Sequence, residues 1–505
     1  MDRRTFITTA AAASALAALP RSAPLAAAQR QPAIDVVERF GFVPDGRADN
    51  YQAFHRLAAY ATQAGGGHFV FPRGTYHVAR RRRVPQANRD PNEVQNAEYV
   101  GVDGLRISGY GATIRLNGRT HRSHIHDSTF MPFEIRLGRN IVIEGLEMDG
   151  GIRDMTRDLS VHEGYAHLVS LNGCSDVLLK DLDLHHSQVD AILLSDDYIT
   201  SGRLPGRACR NIRLENVKCR NNGRGGLAAL QVLGLSAVDC EFSGNGFPAP
   251  NYRGHPPGFG VDVEPDRSRP GQNIDVKTGN LEFLRCTFND NRSAILAAYP
   301  GNYQGYCRFI DCNSRNANND PNHMILSWPG EGLLVRGGVH DAGRGCIWLN
   351  WQSPGSRVRL QGMTIRTSHI HGMLLAHPGG VGEVEDCEII GTHTTAESGH
   401  FVFFAGNPGE GRRHVFRNNR MFIPAARKDH ARAFDFEPNF HHTDLEGNEY
   451  RTDLAIPGEY FVRLFNAENC TVRNERFRGA FPGRQDTIRP LPNDAHDTRL
   501  PFSAT

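Results

Sequence analysis

The chain has 505 residues, 39% of them hydrophobic and 22% charged, with a formal net charge of +2. That apolar share excludes disorder as the main state. No apolar run beyond residue 30 approaches the ~20 residues that cross a bilayer, and the small net charge excludes nucleic-acid binding by a globally basic surface. Length alone points to about three domains, but repetitive β architectures reach this size as one body.

The first 28 residues read as an address. Arg3-Arg4 precede a weakly apolar, alanine-rich stretch, and Ala26-Ala27-Ala28 supplies a small-residue cleavage site. This resembles a bacterial twin-arginine signal peptide, which is removed and adds nothing to the fold. The resemblance implies the twin-arginine export machinery as a partner and a periplasmic or secreted location. Arg3, Arg4 and Arg21 against Asp2 carry a charge of +2, so the mature chain is close to neutral.

Residues 34–78 contain one clear helical pattern. Asp49 or Asn50 can cap it, Phe54, Leu57, Ala58 and Ala61 share one face, and Gly65-Gly66-Gly67 ends it. Such a helix can plug the open end of a stack of strands, whose first rung would otherwise expose its core and edge. Together with Asp45-Gly46, Asp49 and Phe71-Pro72-x-Gly74-x-Tyr76, the segment resembles the N-terminal signature of the pectate-lyase superfamily, including the polygalacturonase-related proteins. The resemblance implies a right-handed parallel β-helix that acts on polysaccharide, and it leaves the reaction open.

From about residue 100 to 475 one phrase recurs: a short strand, an Asn/Asp turn, and a second short strand. RNIVIEGLEMDG, SDVLLKDLDLHHS, RNIRLENVKCRNN and GNLEFLRCTFNDN are examples, with short apolar stretches such as DAILLS, GGLAAL and GVDVEP between them. Asp190, Gly225 and Phe259 hold matching positions, 35 and then 34 residues apart. No such unit buries its apolar face alone, whereas stacking the units as rungs ~4.8 Å apart buries it and pairs the backbone. Helices between the strands are largely missing, and regular two-residue hairpin turns are absent. The expected fold is therefore all-β, a right-handed single-stranded parallel β-helix with an N-terminal capping α-helix. It spans residues 29–482, followed by an extended C-terminal tail at 483–505. Seven of the ten cysteines recur within the repeats (Cys174, Cys219, Cys240, Cys286, Cys312, Cys387 and Cys470), which suits buried thiols better than disulfides.

Alternation along a strand turns successive side chains to opposite sides. In PPGFGVDVEPD, with Val261 and Val263 facing inward, Asp262 and Glu264 face outward, where sibling strands carry Leu, Ala or Ser. Residues i and i+2 lie ~6.6–6.8 Å apart by strand rise, near the ~6.5–9.5 Å between the acid and base of an inverting glycosidase. Asp190 is a third catalytic candidate. Asp196-Asp197 at the exit of its strand, His167, Arg224, His255, Lys277 and Trp328 are candidates for substrate contact. Trp328 can stack on a sugar face or fill a coil corner.

Polygalacturonases carry aspartates in the pattern N-T-D-G-I, with D-D one coil on. Here the stretch reads Gln188-Val189-Asp190-Ala191-Ile192, Asp196-Asp197 fall on the same coil, and the family's G-H-G and R-I-K motifs are not evident. The expectation is a related hydrolase with a rearranged site, cleaving a polysaccharide without a cofactor. The first alternative is a polysaccharide lyase acting by β-elimination on a uronate polymer, with Ca²⁺ held by the carboxylates and Lys277, Arg224 or His167 as base. The second is a non-catalytic glycan-binding solenoid. No residue is assigned as a metal ligand: His121, His124, His126 and Asp127 lack zinc spacing. Arg80–Arg83 read as a solvated loop, and His185-His186 as a possible groove lining just before Asp190.

Overall fold

The computed structural model describes residues 32–79, 96–116, 130–154, 166–197, 206–246, 258–265 and 278–292, together with the strands and many corners of the later coils as far as residue 490. Residues 1–28, Arg80–Arg83, the histidines at 121–126, His255 and Lys277 lie outside the described residues.

The described strands form two hydrogen-bonded sheets of 27 and 14 strands, in which every assigned strand pair is parallel. The larger sheet contains two ladders, one through Ser175–Lys180, Cys209–Glu215 and Val232–Val238, the other through Asp183–His185, Lys218–Arg220 and Glu241–Ser243. The third ladder is the 14-stranded sheet. It runs through Val169–Asn172, Asp190–Ser195, Gly225–Ala229 and Val261–Val263, and the chain visits the three in turn. This is the right-handed single-stranded parallel β-helix expected from the repeats. Asp190 pairs with Gly225, and Leu227 with Val261, in the register that the 35- and 34-residue spacing implies.

The third ladder ends in Ile488–Pro490, which pairs in parallel with Val462–Leu464. This strand falls within residues 483–505, the expected extended C-terminal tail.

Corners explain the Asn/Asp-rich phrase. Asp181, Asn216 and Asp239 all adopt positive φ (51 to 55°) and stack through main-chain bonds to the next coil, Asp181 N to Glu215 O and Asn216 N to Val238 O. Asn and Asp tolerate this left-handed region better than other non-glycine residues. At the corner between the second and third ladders, buried asparagines form a column. Asn222 Nδ2 donates to Asn245 Oδ1 (3.0 Å), and Asn245 Nδ2 donates to Asn291 Oδ1 (2.9 Å). Each thereby satisfies polar atoms that burial would otherwise strand.

The core runs the length of the stack as one cluster, from Phe54 and Phe71 through Ile192, Leu227 and Val261 to Leu445 and Tyr450. Eight of the nine described cysteines are buried and all nine are free thiols, packed as small apolar groups. The helix Tyr51–Ala64 covers the first coil, burying Tyr51, Ala53, Phe54, Leu57, Ala58 and Ala61, and stops at Gly65 with φ 74°. Asp49 accepts from Tyr51 N (3.1 Å), while Asn50 turns inward to bond the Val43 main chain. A second, five-residue helix at Val36–Phe40 was not legible in the sequence; Asp35 caps it by accepting from Val37 N at 2.7 Å. Among the described residues no helix is long and apolar enough to cross a membrane.

Candidate active site

The third ladder collects the candidate residues. Register places Ile192 beside both Val169 and Leu227, so the residues two places earlier, His167, Asp190 and Gly225, share one level at the strand entrances. Asp190 is fully buried. Its Oδ1 accepts from Arg224 Nε at 3.0 Å and its Oδ2 from Arg224 Nη2 at 2.6 Å, a two-pronged ion pair. His167 Nδ1 stands 3.5 Å from the same Oδ2 and is itself buried. Gly225 makes the arrangement possible: a Cβ there would come within 2.8 Å of Asp190 Oδ1.

Asp262 follows one coil beyond Arg224. Val261 and Val263 enter the core, so alternation sends Asp262 to the other side, in column with Ala228 and Leu193. The sequence reading expected Asp262 and Glu264 both in solvent. Only Glu264 is exposed, one residue past the strand; Asp262 is 2% exposed. The Asp262 carboxyl is pushed up to about 7, chiefly by burial, against the pull of Arg224 and with the negative charges of Asp190 and Glu264 adding to the rise. Its Oδ1 has no hydrogen-bond partner among the described residues. For Arg224, burial works against the charged form. The charge and hydrogen bonds of Asp190, then the charges of Asp262 and Glu264, overcome it and hold the guanidinium firmly protonated.

These five side chains can do two things chemically. A neutral carboxyl near pH 7 can give a proton, and an exposed carboxylate two residues away can take one. Arg224 cannot serve as a proton-abstracting base while Asp190 and its neighbours keep it charged.

The other candidates sit elsewhere. Asp196 and Asp197 are buried at the exit of the Asp190–Ser195 strand, and Asp197 Oδ1 accepts from Arg207 N at 2.6 Å, holding the chain after residue 206. Trp328 does not stack on a sugar. It has no exposed surface, its Nε1 donates to Gly305 O (3.2 Å), and its ring meets Tyr303 edge-on at 5.1 Å. A large apolar ring with a main-chain acceptor in reach is better placed in the core, and residue type alone could not tell the two sides apart. A cavity of about 300 Å³ opens at another corner, between the first and second ladders, lined by Thr113, Glu147, Asp183 and Lys218 among others. It shares no residue with the Asp190–Asp262 cluster, whose charge and burial carry the functional argument instead.

No family model matches the chain, and no curated protein sequence matches it. Solved structures do. A surface adhesin of Streptococcus pneumoniae, PfbA, is 12% identical over 89% of this chain and 91% of its own, with a TM-score of 0.44. The A-module of the Azotobacter vinelandii mannuronan C-5 epimerase AlgE4 is 12% identical over 91% of this chain and 100% of its own, at 0.34. Tailspike protein 3 of bacteriophage CBA120 is 10% identical over 91% of this chain and 61% of its own, at 0.42. The chemistry is therefore read from this chain's own residues.

Proposed function

We propose that the protein hydrolyses glycosidic bonds of a polysaccharide outside the cytoplasm, with Asp262 as general acid and Glu264 as general base. The observation that carries this reading is the buried Asp262 carboxyl, pushed to about 7 beside an exposed carboxylate. An acid with that pKa still holds its proton near neutrality and is strong enough to release it to a leaving oxygen. The i, i+2 spacing, ~6.6–6.8 Å by strand rise, leaves room for a water between sugar and base, as inversion requires.

In this reading Asp262 protonates the glycosidic oxygen while Glu264 takes a proton from the attacking water. Arg224 then faces the newly formed Asp262 carboxylate and limits the cost of charging it in a buried place. Asp190 is committed to Arg224 and positions that cation rather than exchanging protons itself. His167 steadies Asp190. His255 and Lys277 stay candidates for substrate contact, and the twin-arginine-like segment accounts for export. Two carboxyls suffice for this chemistry, so Ca²⁺ belongs to the lyase alternative alone.

The test is a panel of neutral and acidic glycans incubated with mature protein in ¹⁸O-labelled water, with products read by mass. One labelled oxygen per new end, abolished in Asp262→Asn and Glu264→Gln, supports the proposal. Unsaturated, ultraviolet-absorbing products select β-elimination, and retained affinity without product selects a binding solenoid.

A further inference from the structure

On the second ladder, just before the Asp190 strand, His185 is the register partner of Asp149 from the preceding coil, and His186 follows at the corner. Asp149, His185 and His186 each offer a ligand atom within 4.8 Å of the others. His185 Nδ1 lies 2.7 Å from His186 Nδ1 and 3.9 Å from Asp149 Oδ1. We propose that these three side chains form a binding site for a divalent transition ion of borderline softness, for which Zn²⁺ is the reference.

Two features favour an ion over a plain polar cluster. First, His185 Nε2 lies 3.2 Å from Glu147 Oε1. A carboxylate on the far nitrogen is how metal-binding histidines are oriented, and it leaves Nδ1 for the ion. Second, His186 has φ 55° at a corner where the sibling coils carry Asn221, Gly244 and Asp290, joined in the same main-chain bonding series. At this corner the His186 ring meets that of His185 edge-on, with centroids 4.9 Å apart, which brings the two Nδ1 atoms together.

The charges nearby are mixed. Arg153 Nη2 and Arg115 Nε approach Asp149 Oδ2, at 3.4 and 3.8 Å. Oδ1 accepts from Gly151 N at 3.0 Å and is the oxygen nearer His185. Tetrahedral zinc with ~2.0–2.1 Å bonds to nitrogen sets its ligands ~3.3 Å apart, so the rings must part by about half an ångström. On binding, the single proton shared between the two Nδ1 atoms moves to His186 Nε2, and none is released. Glu147 also lines the 300 Å³ cavity, which brings solvent to the edge of the cluster. The proposal does not rest on the hydrolytic reading, since none of its residues takes part there.

The experiment uses untagged mature protein stripped with a chelator and titrated with Zn²⁺ by calorimetry, then with Co²⁺ by visible absorption. Wild type is expected to show a saturable equivalent that His186→Asn weakens about a hundredfold, with loss of the Co²⁺ bands. Asn occupies the same corner one coil on, so this variant keeps the turn, and an unchanged circular dichroism melt checks that it does. Glu147→Gln, which alters a positioning residue, is expected to weaken the same equivalent by about 10–100-fold. Absence of a saturable equivalent in wild type, or an unchanged titration in folded His186→Asn, overturns the proposal.

Discussion

Arg224 holds Asp190 through two nitrogens, at 3.0 and 2.6 Å, and the acid it holds has no exposed surface. A buried charge survives only when it is paired and hydrogen-bonded, so the pair is mutually required. The Arg224 guanidinium is also the positive group that limits how far Asp262 is pushed up. Fold and proposed chemistry therefore meet in one ion pair.

Removing one partner of such a pair is expected to be costly. Arg224→Gln leaves Asp190 as an uncompensated buried carboxylate and should lower stability by about 3–5 kcal/mol, read as a drop in the urea midpoint. Arg224→Lys keeps the charge but loses the fork and should fall in between. An unchanged midpoint in Arg224→Gln would show that the pair contributes nothing.

Gly225→Ala tests the space through which Asp190 reaches Arg224. A Cβ at 225 would lie 2.8 Å from Asp190 Oδ1, whereas at Gly332, in a comparable strand, it would stand 3.4 Å from the Arg357 oxygen. The first substitution should cost about 1–3 kcal/mol and displace Asp190; Gly332→Ala should be close to neutral. Equal melting shifts for the two variants would remove the steric account.

In the asparagine column, Asn245→Ala takes partners from both Asn222 and Asn291. Stranding buried amides costs about 1–3 kcal/mol. Asn313→Ala, which removes only an exposed bond from Val339 N to its Oδ1, should cost much less. The comparison is a pair of thermal melts, and a smaller loss at 245 than at 313 would contradict it.

The pH dependence has a definite sign. Asp262 has its folded pKa raised from 3.8 to about 7. Its contribution is fully present below about pH 4 and is lost as pH rises through 7, because the fold disfavours the charged form. Asp262→Asn should therefore match wild type near pH 4 and exceed it above pH 7, by roughly 4 kcal/mol from three pKa units at ~1.4 each. Stability curves at the two pH values check this; a variant less stable at pH 8 would reverse the sign.

Much of this architecture was legible because a β-helix writes its period into the chain. Asp190 and Gly225 could be set in register from spacing alone, and Asp262 stood out because Leu193 and Ala228 fill its column. The helix over the first coil followed from Phe54, Leu57, Ala58 and Ala61 on one face. What the sequence withheld depends on distance across coils. The charges acting on Asp262 come from Arg224 and Asp190 on other rungs, and alternation specifies direction without depth. Trp328 was ambiguous because either side of a strand accepts an indole. Asp149 carries no signal of its own beside His185-His186, yet LEMDG aligned with LDLHHS sets Asp149 opposite His185, the register the strands adopt.

The most direct measurement is the titration of the Asp262 carboxyl itself, followed by ¹³C-detected resonances in protein labelled at aspartate and assigned by the signal missing from Asp262→Asn. The account predicts a midpoint at about 7, shifting upward when Arg224 is replaced by Gln in a folded variant. A midpoint in the ordinary carboxylate range, near 4, would mean that this acid is charged at neutral pH and has no proton to give.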